Sequence, residues 1–555
     1  MEFKKKAIYA SIAFVMAGTS VFAQDVNEAK KAIDAEQYQK AEGILKKLVA
    51  SQPTAAENYF FLGDVYLKND YPDSAKMTFN KGVAAAASSP LNYIGLGAVE
   101  LENNNAAGAK TNFDKAASLA GKKDNKTFLY IGKAYVSAPK PDYNTALTFL
   151  NKAKAVNEKD GEVFLALGDA HRGLKDNSAA YSDYRTAYDL DKNLLRSKIG
   201  LGIINKQSKA FKESTDEFNG VIALNANYGP AYRELAETYY LWANNEPKEY
   251  DARIKQAVDY YKKYLDLTDR SIDSRMRYAD FLYLSKDYKA LIEEAKAMSS
   301  QQNANARVYR YLGYADFQSG DYAGAVQALN TFISKADTSR IIASDYLNLG
   351  QSQIKAGDKA AGIASLKKAI AKDSTNAAAM SEVGKTLYDS RNYAEAADAY
   401  EIAIKDPKTP LLDFYYLGVS HYFDYGAKKT ANQNPDKQIL VQADSAFSKL
   451  LQRSPTTEQA LLYRGRIHRL MDDEQDSQGL AVPYFEQFIQ LVTVTRPEKA
   501  EKNKTGLVES YLYLGSVAAR KDNNVTKAKE YFNKALALDP ANAPAQQAMK
   551  AISGK

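Results

Sequence analysis

The chain has 555 residues, a formal net charge of +7 and no cysteine. The missing cysteine excludes disulfides, thiolate metal sites and a lipidated N-terminal cysteine. Lysines and acids are interspersed along the whole length, which argues against a nucleic-acid stripe and for a solvated helical exterior.

The first 23 residues read as a secretory signal peptide. Lys4-Lys5-Lys6 give the positive start, Ala7 to Val15 the apolar run, and Val21-Phe22-Ala23 a small-residue cleavage site before Gln24. The apolar run is short of the ~20 residues a span requires, and Gly18, Thr19 and Ser20 interrupt it. Cleavage after Ala23 is therefore expected rather than a retained anchor. The leader resembles those of exported Gram-negative proteins, especially of the Bacteroidota, so the periplasm is the expected compartment. Its loss leaves about 532 residues with a charge of about +5. No other segment is long and apolar enough to cross a membrane, so no stable span is expected after cleavage.

From residue 24 onward the sequence is periodic. A small residue returns at Ala29, Gly63, Gly97, Gly132, Gly168, Gly202, Ala236, Ala279, Gly313, Gly350, Gly384, Gly418, Gly465 and Gly515, and seven of the thirteen intervals are 34 residues. A large apolar residue usually precedes it, as in Leu62-Gly63, Leu167-Gly168 and Leu349-Gly350. Glycine inside a helix costs about 1 kcal/mol relative to alanine, so its return needs a packing reason, the close approach of a neighbouring helix. Twelve residues on comes another small residue (Ala41, Ala75, Ala109, Ala180, Ala325, Ala396), and four further a bulky one (Leu45, Phe79, Phe113, Tyr184, Leu329, Tyr400). That spacing places both on one face of a second helix. Polar turns such as Lys68-Asn69-Asp70-Tyr71 and Ser390-Arg391-Asn392-Tyr393 separate the helices, and breakers such as Gln52-Pro53 and Asp406-Pro407 end the units.

A helical hairpin repeated at this period resembles the tetratricopeptide repeat (TPR) family. The resemblance covers nearly all of residues 24–555 and implies an all-α fold, a right-handed TPR-type α-solenoid of about 14 helical hairpins with a C-terminal capping helix. Such a solenoid adds core unit by unit, so residues 24–555 are expected to form one continuous superhelix. The first unit sets Glu28, Lys30 and Lys31 around Ala29, a polar cap, and Ala541 to Ile552 reads as the closing helix.

The period breaks at insertions near 244–252, 424–437, 472–480 and 494–506. The first lies around Asn244-Asn245-Glu246-Pro247, the second runs from Asp424 to Lys437, the third holds Asp472-Asp473-Glu474-Gln475-Asp476, and the fourth is a basic link from Arg496 to Lys504. Insertions in solenoids fall in loops on one face, often a binding face, and equally arise by drift where a surface tolerates them.

Constellations for catalysis dissolve in the repeat register. His171, His421 and His468 each lie three residues after their small site, an inward position held elsewhere by Tyr66, Tyr135 and Tyr239. Gly384-Lys385-Thr386 resembles the end of a phosphate-binding loop, but Ala379 stands where the first glycine is needed and no strand precedes it. Ser365 and Lys368, with Lys504-Thr505-Gly506 downstream, match a penicillin-binding signature only superficially, since Ser365 falls on a second helix. No enzyme, cofactor or metal site is expected.

What the family resemblance implies is binding. In TPR proteins the first helices line a concave groove, with groove-facing residues three before, one after and four after the small site. Here these positions give Arg233, Glu237 and Tyr240, then Met276, Asp280 and Tyr283, then Arg310, Tyr314 and Phe317, with Arg307 one turn earlier. Arginine, tyrosine and methionine commonly anchor interfaces, although many of the forty tyrosines must be repeat-core residues. A second cluster holds Tyr415, Tyr422 and Phe423, followed by Arg466 and Arg469. No unit has the lysine and asparagine with which TPR domains grip chaperone C-terminal carboxylates. Asp73-Ser74-Ala75, Asp373-Ser374-Thr375 and Asp444-Ser445-Ala446 resemble the short O-glycosylation motif of exported Bacteroidota proteins. The expected function is a non-enzymatic protein-interaction scaffold of the cell envelope, binding proteins or peptides. The alternative is an accessory subunit of an envelope transport or secretion complex, such as an energised outer-membrane system.

Overall fold

The computed structural model describes residues 25–301, 304–473 and 478–553. The expected leader, and Glu474 to Asp476 of the acidic stretch, lie outside the described residues. Among the described residues there are 29 α-helices and no strand. They pair in chain order into fourteen hairpins, and the last helix, Ala543–Ser553, packs on Val525–Leu538. The chain divides into two compact units, Met1–Gln302 with eight hairpins and Asn303–Lys555 with six and the closing helix.

Each hairpin is built by the same local physics. In ten of the hairpins the short turn between the helices holds one residue in the left-handed region: Glu36, Asp70, Asn104, Lys175, Lys209, Lys286, Gly320, Gly357, Arg391 and Asn523. Several of these are spaced by the repeat itself, as 36, 70 and 104 or 175 and 209 show. Aspartates then start the second helix: Asp142, Asp176, Asp287, Asp321 and Asp358 each accept a backbone N–H of its first turn. Such a cap contributes about 1 kcal/mol.

The recurring glycine is explained by the bulky residue sixteen positions later. A Cβ on Gly63 would come within 2.3 Å of the Phe79 ring, and one on Gly168 within 2.6 Å of Tyr184. The next hairpin closes on the same rings from the other side, at Gly95 on Phe79 and Gly200 on Tyr184. A buried ring thus sits between two bare stretches of backbone, and repeating this contact builds the core hairpin by hairpin within each unit.

The period breaks are mostly helical growth. Around residue 244 both helices of the seventh hairpin lengthen, to Gly229–Asn245 and Tyr250–Leu267, joined by a short turn at Pro247–Glu249. Trp242 stacks on Phe211 and Tyr239, and Arg253 covers its ring at 4.2 Å. Residues 424–430 likewise continue the helix Leu411–Thr430, leaving only the stretch before Gln438 as loop. At the third break, buried Asp472 accepts backbone N–H groups from Asp473, Gln478, Gly479 and Leu480. The fourth contains a π-helical turn, Leu491–Thr495, and a 3-10 turn, Pro497–Lys499, before the helix Lys504–Arg520.

Candidate functional site

The groove positions lie on first helices, and the structure shows what each side chain touches. Arg233, Tyr240, Met276 and Tyr283 belong to the first unit, and Arg307, Arg310, Tyr314 and Phe317 to the second.

In the first unit the charged candidates are already matched. Arg233 Nη1 donates to both oxygens of Glu36, at 2.5 and 2.6 Å, and its Nη2 reaches Glu234 at 3.3 Å. Burial pushes the Glu234 carboxyl up, but Lys206, 2.5 Å away, and Arg233 together hold it below the ordinary value. Glu237 takes a two-pronged contact from Arg277, at 2.7 and 2.6 Å, and Arg277 also reaches Asp280 at 3.6 Å. The same guanidinium lies 5.1 Å from the Tyr240 ring centre and 4.6 Å from that of Phe281. Met276 is buried, while Tyr283 is 36% exposed and meets Tyr288 edge-on at 6.3 Å.

In the second unit Arg310 and Tyr314 converge on a residue absent from the candidate set. Asp345, fully buried, accepts from Arg310 Nε at 2.7 Å and Nη2 at 2.8 Å, from the Tyr314 hydroxyl at 2.9 Å and from the Ile342 N–H at 2.8 Å. Arg310 also donates to the Arg340 carbonyl. Arg307 is exposed over the Tyr311 ring at 5.3 Å, and Phe317 is half-buried, 6.0 Å from Tyr322. Asp345 had a signal in the sequence. It stands five residues before Gly350, and at the same register stand Asn58, Asn92, Thr127, Ser197, Asp413 and Ser510, all buried. That register is a recurring buried polar position: the Asn92, Ser197, Asp345 and Ser510 side chains bond backbone near their own helix start or in the preceding hairpin, and the Thr127 hydroxyl donates to Asp124.

The second aromatic cluster forms an open cleft. Tyr422 meets Tyr463 at 5.3 Å, Phe423 meets Tyr393 at 5.3 Å, and Tyr415 lies 6.0 Å from Phe447 and 6.1 Å from Tyr463. Beside these rings is a cleft of about 530 Å³ lined by Tyr393, Tyr422, Phe423, Tyr425 and Leu470, with Lys429 and Thr430. Arg466 is committed to Glu509 at 2.7 Å, whereas Arg469 is exposed and has no ion pair among the described residues. Burial raises the pKa of the Tyr422 hydroxyl, and Arg466 and Arg469 oppose that rise.

The histidines occupy the inward register expected of them, each facing a carboxylate. His171 Nδ1 is 2.7 Å from Asp183, His421 Nε2 is 3.3 Å from Glu401, and His468, stacked on Tyr484 at 4.1 Å, is 3.2 Å from Asp444. Among the described residues no three His, Asp or Glu come together as a metal site. The phosphate-loop lookalike lies within the helix Met380–Asp389, with Lys385 paired to Asp389. Ser365, on the helix Lys359–Lys372, donates to Gln353 at 2.7 Å. Among the described residues no helix is long and apolar enough to cross a membrane. Ser74, Ser374 and Ser445 are exposed.

Family models of the tetratricopeptide repeat match residues 347–410, and residues 56–88, 161–194 and 508–542. No curated protein matches the chain. Among solved structures, the C-terminal part of a TPR repeat-containing protein from Cytophaga hutchinsonii is similar at 26% identity, over 49% of this chain and 98% of that one, with a TM-score of 0.33. A tetratricopeptide repeat protein from Parabacteroides merdae is similar at 12% identity over 48% of this chain and all of that one, with a TM-score of 0.31. YrrB, a TPR protein described as having an unusual peptide-binding site, is similar at 18% identity over 34% and 95%, with a TM-score of 0.22.

Proposed function

The chain belongs to the tetratricopeptide-repeat family, and from that premise we propose that it is a non-enzymatic scaffold of the cell envelope that holds a protein or peptide partner. TPR proteins mediate protein–protein interactions. One observation carries the choice of site here. Arg233, Arg310 and Tyr314 are engaged by carboxylates of their own chain, whereas the cleft beside Tyr422, Phe423 and Leu470 is open and lined by rings. Aromatic walls offer contact area at low conformational cost, and exposed Arg469 near Tyr422 adds positive charge for an acidic group of the partner.

Export is part of the proposal and rests on residues 1–23. Mass spectrometry of the mature protein should find Gln24 at its N-terminus. The binding site is tested by comparing partners recovered from envelope extracts by the unaltered chain and by a Leu470→Glu, Lys429→Glu variant. Loss of a discrete partner, with thermal unfolding unchanged, supports the cleft; identical recovery rejects it.

A further inference from the structure

The turn of the first hairpin lies against the seventh hairpin, roughly two hundred residues later. Glu36, its left-handed residue at φ 60°, accepts from the Arg233 guanidinium and, at 2.8 Å, from the Tyr264 hydroxyl. Two residues earlier, Asp34 accepts from the Tyr228 hydroxyl at 2.8 Å. The Gln37 amide donates to the Leu267 carbonyl at 3.1 Å, and the Gln39 backbone N–H donates to Asp269 at 2.7 Å. Ala35 joins a small core with Ile199, Phe218 and Val221. The turns at the same register carry Asp70, Asn104, Lys175 and Lys209, whose side chains make no hydrogen bond or ion pair among the described residues.

This contact is not needed for the solenoid to cohere. Hairpins are held by their neighbours in sequence, so a contact across six hairpins adds its own equilibrium to theirs. It is also chemically unlike the repeat interfaces, with Ala35 the one small apolar residue of the turn among five polar contacts. On the receiving side stand two tyrosine hydroxyls, a guanidinium and a backbone carbonyl, arranged to read two carboxylates two residues apart and the amide beside them. Tyr228 and Tyr264 lie buried beneath the hairpin, while the Arg233–Glu36 pair is partly exposed at its rim, so the set opens to another acidic segment when the hairpin leaves.

We propose that Tyr228, Arg233, Tyr264 and the Leu267 carbonyl form a docking site for an acidic segment of Asp-x-Glu pattern. The chain's own first hairpin fills it, and a partner's segment of the same pattern enters by displacing that hairpin. Tethering gives the resident segment an effective concentration in the millimolar range, so the site favours closure until a partner competes. This site is separate from the aromatic cleft and does not depend on it.

The absence of cysteine allows a clean distance measurement on the full chain. Spin labels at Lys40→Cys and Arg270→Cys, both exposed and next to the Gln39–Asp269 contact, should give a short, narrow distance. Glu36→Lys should raise the ratio of long to short distances at least tenfold, with Glu36→Gln as the milder variant should Glu36→Lys fold poorly. A fluorescent peptide of residues 26–40 should bind the Glu36→Lys chain at least tenfold more tightly than the unaltered chain, and lose that gain when Arg233→Glu is added. An unchanged distance in both Glu36 variants overturns the latch. A lengthened distance without peptide binding overturns the docking site.

Discussion

Arg310 closes on Asp345 with both prongs of its guanidinium, at 2.7 and 2.8 Å, and Tyr314 completes the contact from the next turn of the same helix. Groove register alone marks Arg310 and Tyr314 as outward anchors; the buried carboxylate makes them parts of the joint between two hairpins.

Asp345→Ala should therefore destabilise the ninth and tenth hairpins. Removing one partner of a buried, hydrogen-bonded pair strands the other, at a cost of about 3 kcal/mol. Hydrogen exchange should rise across residues 306–372 while the first unit keeps its protection, because coupling in a repeat fold passes between neighbours. Uniform exchange rates in mutant and parent would contradict this role.

Two alanine substitutions should move stability in opposite directions. Gly43 is exposed on the helix Tyr38–Ser51 with nothing within 4 Å of an added Cβ, so Gly43→Ala should stabilise by about 1 kcal/mol. Gly63→Ala forces a methyl into the Phe79 ring and should cost roughly 1–3 kcal/mol despite the better helix propensity. Denaturant titration of both variants separates propensity from packing.

His421 gives the chain an acid sensitivity with a definite sign. Burial lowers its folded-state pKa from 6.5, against the opposing pull of Glu401. As pH falls below about 6.5 the unfolded state takes up the proton first, so the contribution to stability is intact above that value and is lost on acidification towards the lowered folded value. His421→Phe should flatten the difference in denaturation midpoint between pH 7.5 and 5.5. A pH dependence equal to the parent's would assign it to other groups.

The repeat was legible because its determinants are local. A glycine, a ring sixteen residues later and a left-handed turn lie within one hairpin, so the spacing of Gly63, Asp70 and Phe79 already states their contact. The partners of the groove charges were not legible in that way. Glu36 meets Arg233 across 197 residues, and only the accumulated rotation of six hairpins brings them together. Period breaks misled in a different sense: an insertion read as a loop at 244–252 is largely helix, because Trp242, Phe211 and Arg253 supply the extra turn with packing of its own. Asp345 was readable in principle, from the polar residues that recur five before the small site.

The cleft of the second unit is probed most directly by a photo-cross-linking residue in place of Thr430, an exposed position on its wall. Irradiation in envelope preparations is predicted to give a discrete protein adduct that disappears when Leu470→Glu is added. Absence of any adduct at residue 430, or an adduct indifferent to Leu470→Glu, would contradict the claim that this cleft is where the scaffold holds its partner.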